Sequence, residues 1–126
     1  MLSLEAARVL GVAESPSGAE AILLVEHVDA ESVHVFQVLA SAGPAGWEAD
    51  RWDDAPGWFP TDDLEKGDVG VLTRWGQARR SSATATEFGL DGELYRAGIA
   101  NGYFLLAIWD VPSATVARLK FIGYTS

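Results

Sequence analysis

The stretch ATATEFGLDGELYRAGIANGYFLLAIWD, residues 83–110, decides the fold class. Within it, Asp91-Gly92 and Asn101-Gly102 are the dipeptides that two-residue type I′ hairpins prefer, because both central residues of that turn need positive φ. The two turns stand ten residues apart, which makes Ala83–Leu90, Glu93–Ala100 and Tyr103–Asp110 three strands of an antiparallel meander. After Pro112-Ser113 a last strand is expected over Thr115–Tyr124, with Val116, Arg118 and Lys120 alternating against Ala117, Leu119 and Phe121 so that one face meets water.

Moving toward the N-terminus, Asp68–Trp75 reads as another strand, and a second hairpin is written in Ala21–Val28 and Val33–Ala40 on either side of Asp29-Ala30-Glu31-Ser32. A turn centred between Ala30 and Glu31 pairs Val28 with Val33, His27 with His34, Val25 with Phe36 and Leu23 with Val38. Both faces of this hairpin are then largely apolar, which predicts a central position with cover on both sides. Residues 5–13 read as a first strand or a short helix opened by Ser3, and Ser15-Pro16-Ser17-Gly18 breaks the chain after them. Between the two sheet-forming regions, Gly43–Gly67 reads as a long connection. Its segment Thr61–Gly67 carries the marks of one helical turn: Thr61 as cap, acidic first turn, Lys66 in the last turn and Gly67 after it.

About seven or eight short strands at this spacing predict an all-β, single-domain sandwich or small barrel over residues 1–126. The run Trp58-Phe59-Pro60 followed by Leu64-Glu65-Lys66-Gly67-Asp68-Val69-Gly70-Val71-Leu72-Thr73, with the aromatic strand Tyr103–Trp109 later, resembles small bacterial lamin-tail-like domains. That resemblance covers about half of the chain and implies an immunoglobulin-like β-sandwich used as an interaction module. It carries over no catalytic residue.

Composition narrows the function. The 126 residues hold 18 Asp and Glu against 9 Lys and Arg, and no cysteine, so disulfides, thiol nucleophiles and cysteine zinc sites are excluded. A net charge of −9 argues against nucleic acid and against an anionic membrane surface, since affinity for phosphate comes mainly from Lys and Arg. The longest apolar runs, Ala21–Val25 and Tyr103–Trp109, are far short of a bilayer span, and Met1–Glu14 lacks the basic leader and apolar stretch of a signal peptide, so a cytoplasmic location is expected. No phosphate loop, Gly-x-Gly-x-x-Gly, Gly-x-Ser-x-Gly or His-Glu-x-x-His occurs. The expectation is a protein without intrinsic catalysis and without cofactor.

Three constellations remain. His27 and His34 are cross-strand partners in the register above, and such a pair can hold a divalent metal with Asp29 or Glu31 as an oxygen ligand; but two ligands without a third on the same face define no site, so the favoured reading is that they close the apolar face at the hairpin's end and touch water, and no metal is expected. From Glu48 to Asp68 eight carboxylates face only Arg51 and Lys66, and Trp47, Trp52, Trp58 and Phe59 lie among them. Aromatic anchors within charge are the composition of a binding surface, which assigns Trp47, Asp50, Trp52, Asp53, Asp54 and Trp58 to a basic protein partner, as in inhibitors or immunity proteins. The competing reading folds those tryptophans over an open end of the core. Finally, Arg74, Arg79 and Arg80 form a basic patch that either neutralises nearby carboxylates or supplies half of a homo-oligomer contact. Two other functions compete with partner binding: a structural subunit of an assembly, such as a phage capsid or tail component, and a small-ligand or carbohydrate-binding module.

Overall fold

The computed structural model describes residues 7–60 and 69–125. Among the described residues it is all-β and antiparallel, with two sheets and no closed barrel, the content expected of a sandwich. The chain divides into two compact units, Met1–Pro56 and Gly57–Ser126.

The first unit is a four-stranded sheet in the order β1-β2-β3-β4, built from β1 (Ala7–Glu14), β2 (Glu20–Val28), β3 (Val33–Gly43) and β4 (Gly46–Asp53). The hairpin of β2 and β3 has the register expected from its turn: Val28 opposite Val33, His27 opposite His34, Val25 opposite Phe36 and Leu23 opposite Val38. Residues 5–13 resolve as strand where they are described, and Gly43–Gly67 is not one long connection, because Gly46–Asp53 pairs with β3 through a tight Gly43–Gly46 turn. Backbone groups of a segment beside an open strand gain partners by joining it, which the Gly-Pro-Ala-Gly turn makes geometrically easy. The expected helical turn over Thr61–Gly67 lies outside the described residues. One face of the sheet buries Ile22, Leu24, Gln37 and Leu39. The opposite face buries Ala21, Val25, Phe36, Val38 and Ala40, so the hairpin is central and covered on both sides as its two apolar patterns implied, with a groove between the edge strands described below.

The second unit is a six-stranded sheet in the order β10-β7-β8-β9-β6-β5, from β5 (Trp58–Pro60), β6 (Gly70–Gln77), β7 (Ala85–Leu90), β8 (Glu93–Ala100), β9 (Tyr103–Val111) and β10 (Lys120–Thr125). The meander stands as read. Asp91, Gly92, Asn101 and Gly102 all take positive φ (49°, 84°, 55° and 79°), the backbone that a type I′ turn demands. The last strand is shorter than expected, because Ser113–Arg118 forms a 3₁₀ helix and only Lys120–Thr125 pairs with β7. Thr115 accounts for this: its backbone N–H (3.1 Å) and its hydroxyl (2.6 Å) both donate to the Pro112 carbonyl, closing a turn that an extended chain cannot make. With three residues per turn, Val116 and Leu119 then fall on one side and pack on Leu72, Phe88, Leu90, Ala97, Leu106 and Ile108, the core of this unit.

Candidate functional site

Strand β4 is an edge strand, and every residue from Gly46 to Asp53 is exposed. Trp47 and Trp52 are five positions apart and would point to opposite faces of a regular strand. A bulge between the Leu39 and Ala40 pairings, with Arg51 and Ala49 as partners, inserts Asp50 as an extra residue and changes the phase. Trp47 therefore faces Ala42 and Trp52 faces Val38, so that both indoles lie on one side of the sheet, 52% and 62% exposed. A second bulge in β1, between Val9 and Gly11, does the same at the other edge: Val9 opposite Val25 and Val12 opposite Leu23 share that side. The two bulges give one face an apolar rim along both edges.

The floor between these rims is Leu23 and Val25 of β2 with Phe36 and Val38 of β3, and Trp52 leans on it edge-on to Phe36 with ring centroids 5.8 Å apart. Together with Ala7, Val9 and Ala49 they line a groove of about 340 Å³ without a single polar side chain. It continues at one end into a hollow walled by Val12, Glu14, Ala21, Ala40 and Trp47. At the other end it continues into one walled by His27, Asp29, His34 and Asp54 beside Phe36 and Trp52. Both arginines of this unit belong to the opposite face, where Arg8 pairs with Glu26 at 3.2 Å and Arg51 stands opposite Leu39.

The histidine pair sits where the register placed it. His34 Nε2 lies 2.8 Å from the Ser32 hydroxyl and 3.4 Å from Asp29 Oδ2, while Asp29 Oδ1 accepts from the Glu31 and Ser32 amides (3.0 and 2.9 Å) and from the Ser32 hydroxyl (3.1 Å). Serine, histidine and aspartate thus meet, but not as a nucleophilic relay. In a relay the acid orients the histidine through the nitrogen remote from the serine, whereas here acid and hydroxyl share Nε2 and the hydroxyl proton is committed to the carboxylate. His27 Nδ1 is buried without a hydrogen-bond partner. Among the described residues no three His, Asp or Glu side chains converge in a way that could hold a metal ion.

Those two backbone amides and the Ser32 hydroxyl hold the Asp29 carboxyl below its ordinary value of 3.8. For a depressed carboxylate the linked stabilisation is complete above the unfolded value and is lost as pH falls through the lower, folded one. An NMR titration of the Ser32 amide from pH 6 to pH 2 is therefore expected to show a midpoint below 3.8, and Asp29→Ala should abolish that transition while leaving β2 and β3 paired. A midpoint at or above 3.8 would mean the turn is not held by this carboxylate.

The remaining site candidates are sorted by the structure. Asp53 and Asp54 follow Trp52 directly, and the Asp53 carboxylate accepts from the Ala55 amide at 3.1 Å. The Ala55 carbonyl accepts in turn from Gln37 Nε2 at 2.6 Å, which pins this end of the chain to the sheet. Trp58 belongs to the other unit and is half-buried, its indole N–H donating to the Val111 carbonyl at 2.9 Å; with buried Phe59 it serves packing. In the basic patch, the Arg79 amide donates to the Tyr124 hydroxyl at 3.2 Å and Arg80 stacks over the Tyr124 ring at 6.0 Å. A wide hollow in the second unit is bordered by Asp91 and Arg118, which already satisfy each other through two hydrogen bonds of 2.9 and 3.2 Å. Sequence reasoning missed Val9, Val12 and the floor residues as site components, because nothing in a strand pattern announces where a bulge will change its phase. No helix among the described residues is long and apolar enough to cross a membrane. No family model, curated protein or solved structure matches the chain.

Proposed function

We propose that this protein is a non-enzymatic binding module that holds a basic protein partner on the surface carried by β4. The observation that supports it is the placement of Trp47 and Trp52 on one face of an exposed edge strand that also bears Glu48, Asp50 and Asp53, with Asp54 just beyond. Exposed tryptophans supply anchoring area at low entropic cost, and the surrounding carboxylates steer and orient a cationic surface. The first unit concentrates this charge: residues 7–56 hold nine carboxylates against two arginines, while residues 57–126 are nearly balanced at eight against seven. An immunoglobulin-like interaction domain, as the lamin-tail-like resemblance implies, is part of the same reading.

Affinity capture of basic proteins with wild type and with the triple variant Trp52→Ala, Asp53→Lys, Asp54→Lys tests it. The variant is expected to lose its captured partner at physiological salt while keeping its circular dichroism spectrum, with at most a small fall in melting temperature from loss of the Trp52–Phe36 ring contact and the Asp53–Ala55 hydrogen bond, because all three side chains are exposed. A folded variant that retains the partner at both low and physiological salt removes β4 from the recognition surface.

A further inference from the structure

The grooved face of the four-stranded sheet has the dimensions and the charge pattern of a seat for one helix. Its apolar rims stand on β1 and β4, three interstrand spacings or about 14 Å apart, which accommodates a helix about 10–12 Å across and is much wider than a single strand needs. Along the strands the face runs from the Ala21 position to the His27 position, six residues or about 20 Å, the length of about 13 helical residues. Carboxylates mark both ends of that length: Glu14 at one, Asp29 and Asp54 at the other. The middle, between Val9 and Trp52, is wholly apolar.

Resting on the binding reading above, we propose that the partner contributes a cationic amphipathic helix of about 13 residues that lies along the strands in this groove. Its aliphatic side chains at i, i+3/i+4 and i+7 meet the exposed Val9, Val12, Trp47 and Trp52 above the buried Val25, Phe36 and Val38, and its Lys or Arg residues near the two ends meet Glu14 and the Asp29–Asp54 pair. Charge decides against a second copy of this chain as the occupant. Both arginines of the unit project from the other face, so two such faces would set carboxylate against carboxylate with no lysine or arginine to neutralise them.

Three synthetic peptides of about 14 residues separate the terms: one with a leucine stripe at helical spacing and lysines at both ends, a twin with glutamates for the lysines, and a scramble that keeps the lysines but breaks the stripe. Each is titrated calorimetrically into wild type, Val9→Ser, Glu14→Lys and the β4 triple variant. Val9 is 51% exposed and on the edge opposite β4, so its substitution leaves the fold and the β4 surface intact. The striped cationic peptide is expected to bind wild type at least about tenfold more tightly than either control, and to lose about tenfold or more with Val9→Ser and with Glu14→Lys. Absence of saturable binding, or equal binding of the scramble, overturns the proposal. If the triple variant abolishes partner capture while Val9→Ser and Glu14→Lys change neither capture nor peptide affinity, the groove is excluded and the β4 reading stands. If none of the variants matters, both fall. A concentration-dependent dimer in sedimentation that Val9→Ser dissolves would make a second copy the occupant and also overturn the proposal.

Discussion

Phe88→Ala is expected to destabilise the second unit by about 3–5 kcal/mol, the usual cost of truncating a buried aromatic ring when the surroundings collapse only in part. Phe88 is 2% exposed at the centre of β7, where its ring meets Phe104 (centroids 5.7 Å apart) and Phe121 (5.5 Å) and its neighbours Tyr95 and Phe121 stand directly across on β8 and β10. Removing it takes a shared partner from both flanking strands at once. For a chain of this length the melting temperature should fall by about 12–20 °C. Trp58, Trp75 and Trp109 report on this unit and Trp47 and Trp52 on the other, so fluorescence of the single-unit tryptophan variants locates the loss. Phe88→Leu, which keeps most of the volume, should cost about a third as much. A change under about 1 kcal/mol for Phe88→Ala would mean that the aromatic cluster contributes little to the core.

Gly70→Ala is expected to be as damaging for a different reason. Gly70 lies in β6 between Pro60 of β5 and Val111 of β9, and a Cβ there would collide with the Phe59 carbonyl oxygen and come within 2.7 Å of Trp58 Cε2 and Cζ2. The indole crosses the bare backbone of Gly70 to reach the Val111 carbonyl, so the missing side chain is what makes its 2.9 Å hydrogen bond possible. Because one of the colliding atoms is backbone, rotamer changes cannot relieve the strain, and a loss of about 3 kcal/mol or more is expected in urea denaturation. The effect should be non-additive with Trp58→Ala: once the ring is gone, part of the collision is gone too, and the double variant should lose less than the two single losses combined. Strict additivity would show that the indole does not lie over Gly70.

What was legible in the sequence follows from local chemistry. Asp-Gly and Asn-Gly turns set strand boundaries and pairing because the backbone conformation they require is a property of two residues, and the Asp29–Ser32 turn set the β2/β3 register through local hydrogen bonds from the Glu31 and Ser32 amides to the Asp29 carboxylate. Where a reading failed, a longer-range or competing local interaction had intervened. Thr115 closes a turn on the Pro112 carbonyl and converts the start of an expected strand into a 3₁₀ helix, and Gly46–Asp53 becomes strand because β3 offers it an open edge. The tryptophan-rich segment divided. Trp58 is taken into packing by a carbonyl 53 residues away in the chain, while Trp47 and Trp52 remain at the surface.

The sequence by itself determined the all-β class, the meander, the hairpin register and the acidic excess, since each depends on residue types and on neighbours a few positions apart. Only the tertiary structure decided that Trp47 and Trp52 share a face, that Val9 and Val12 share it with them, and that the arginines of the unit lie behind it. A strand's side chains alternate with a period of two, so one extra residue at a bulge exchanges the faces of everything beyond it. Whether a bulge forms depends on how two strands settle against each other across the sheet, and that balance is struck between segments the sequence keeps far apart.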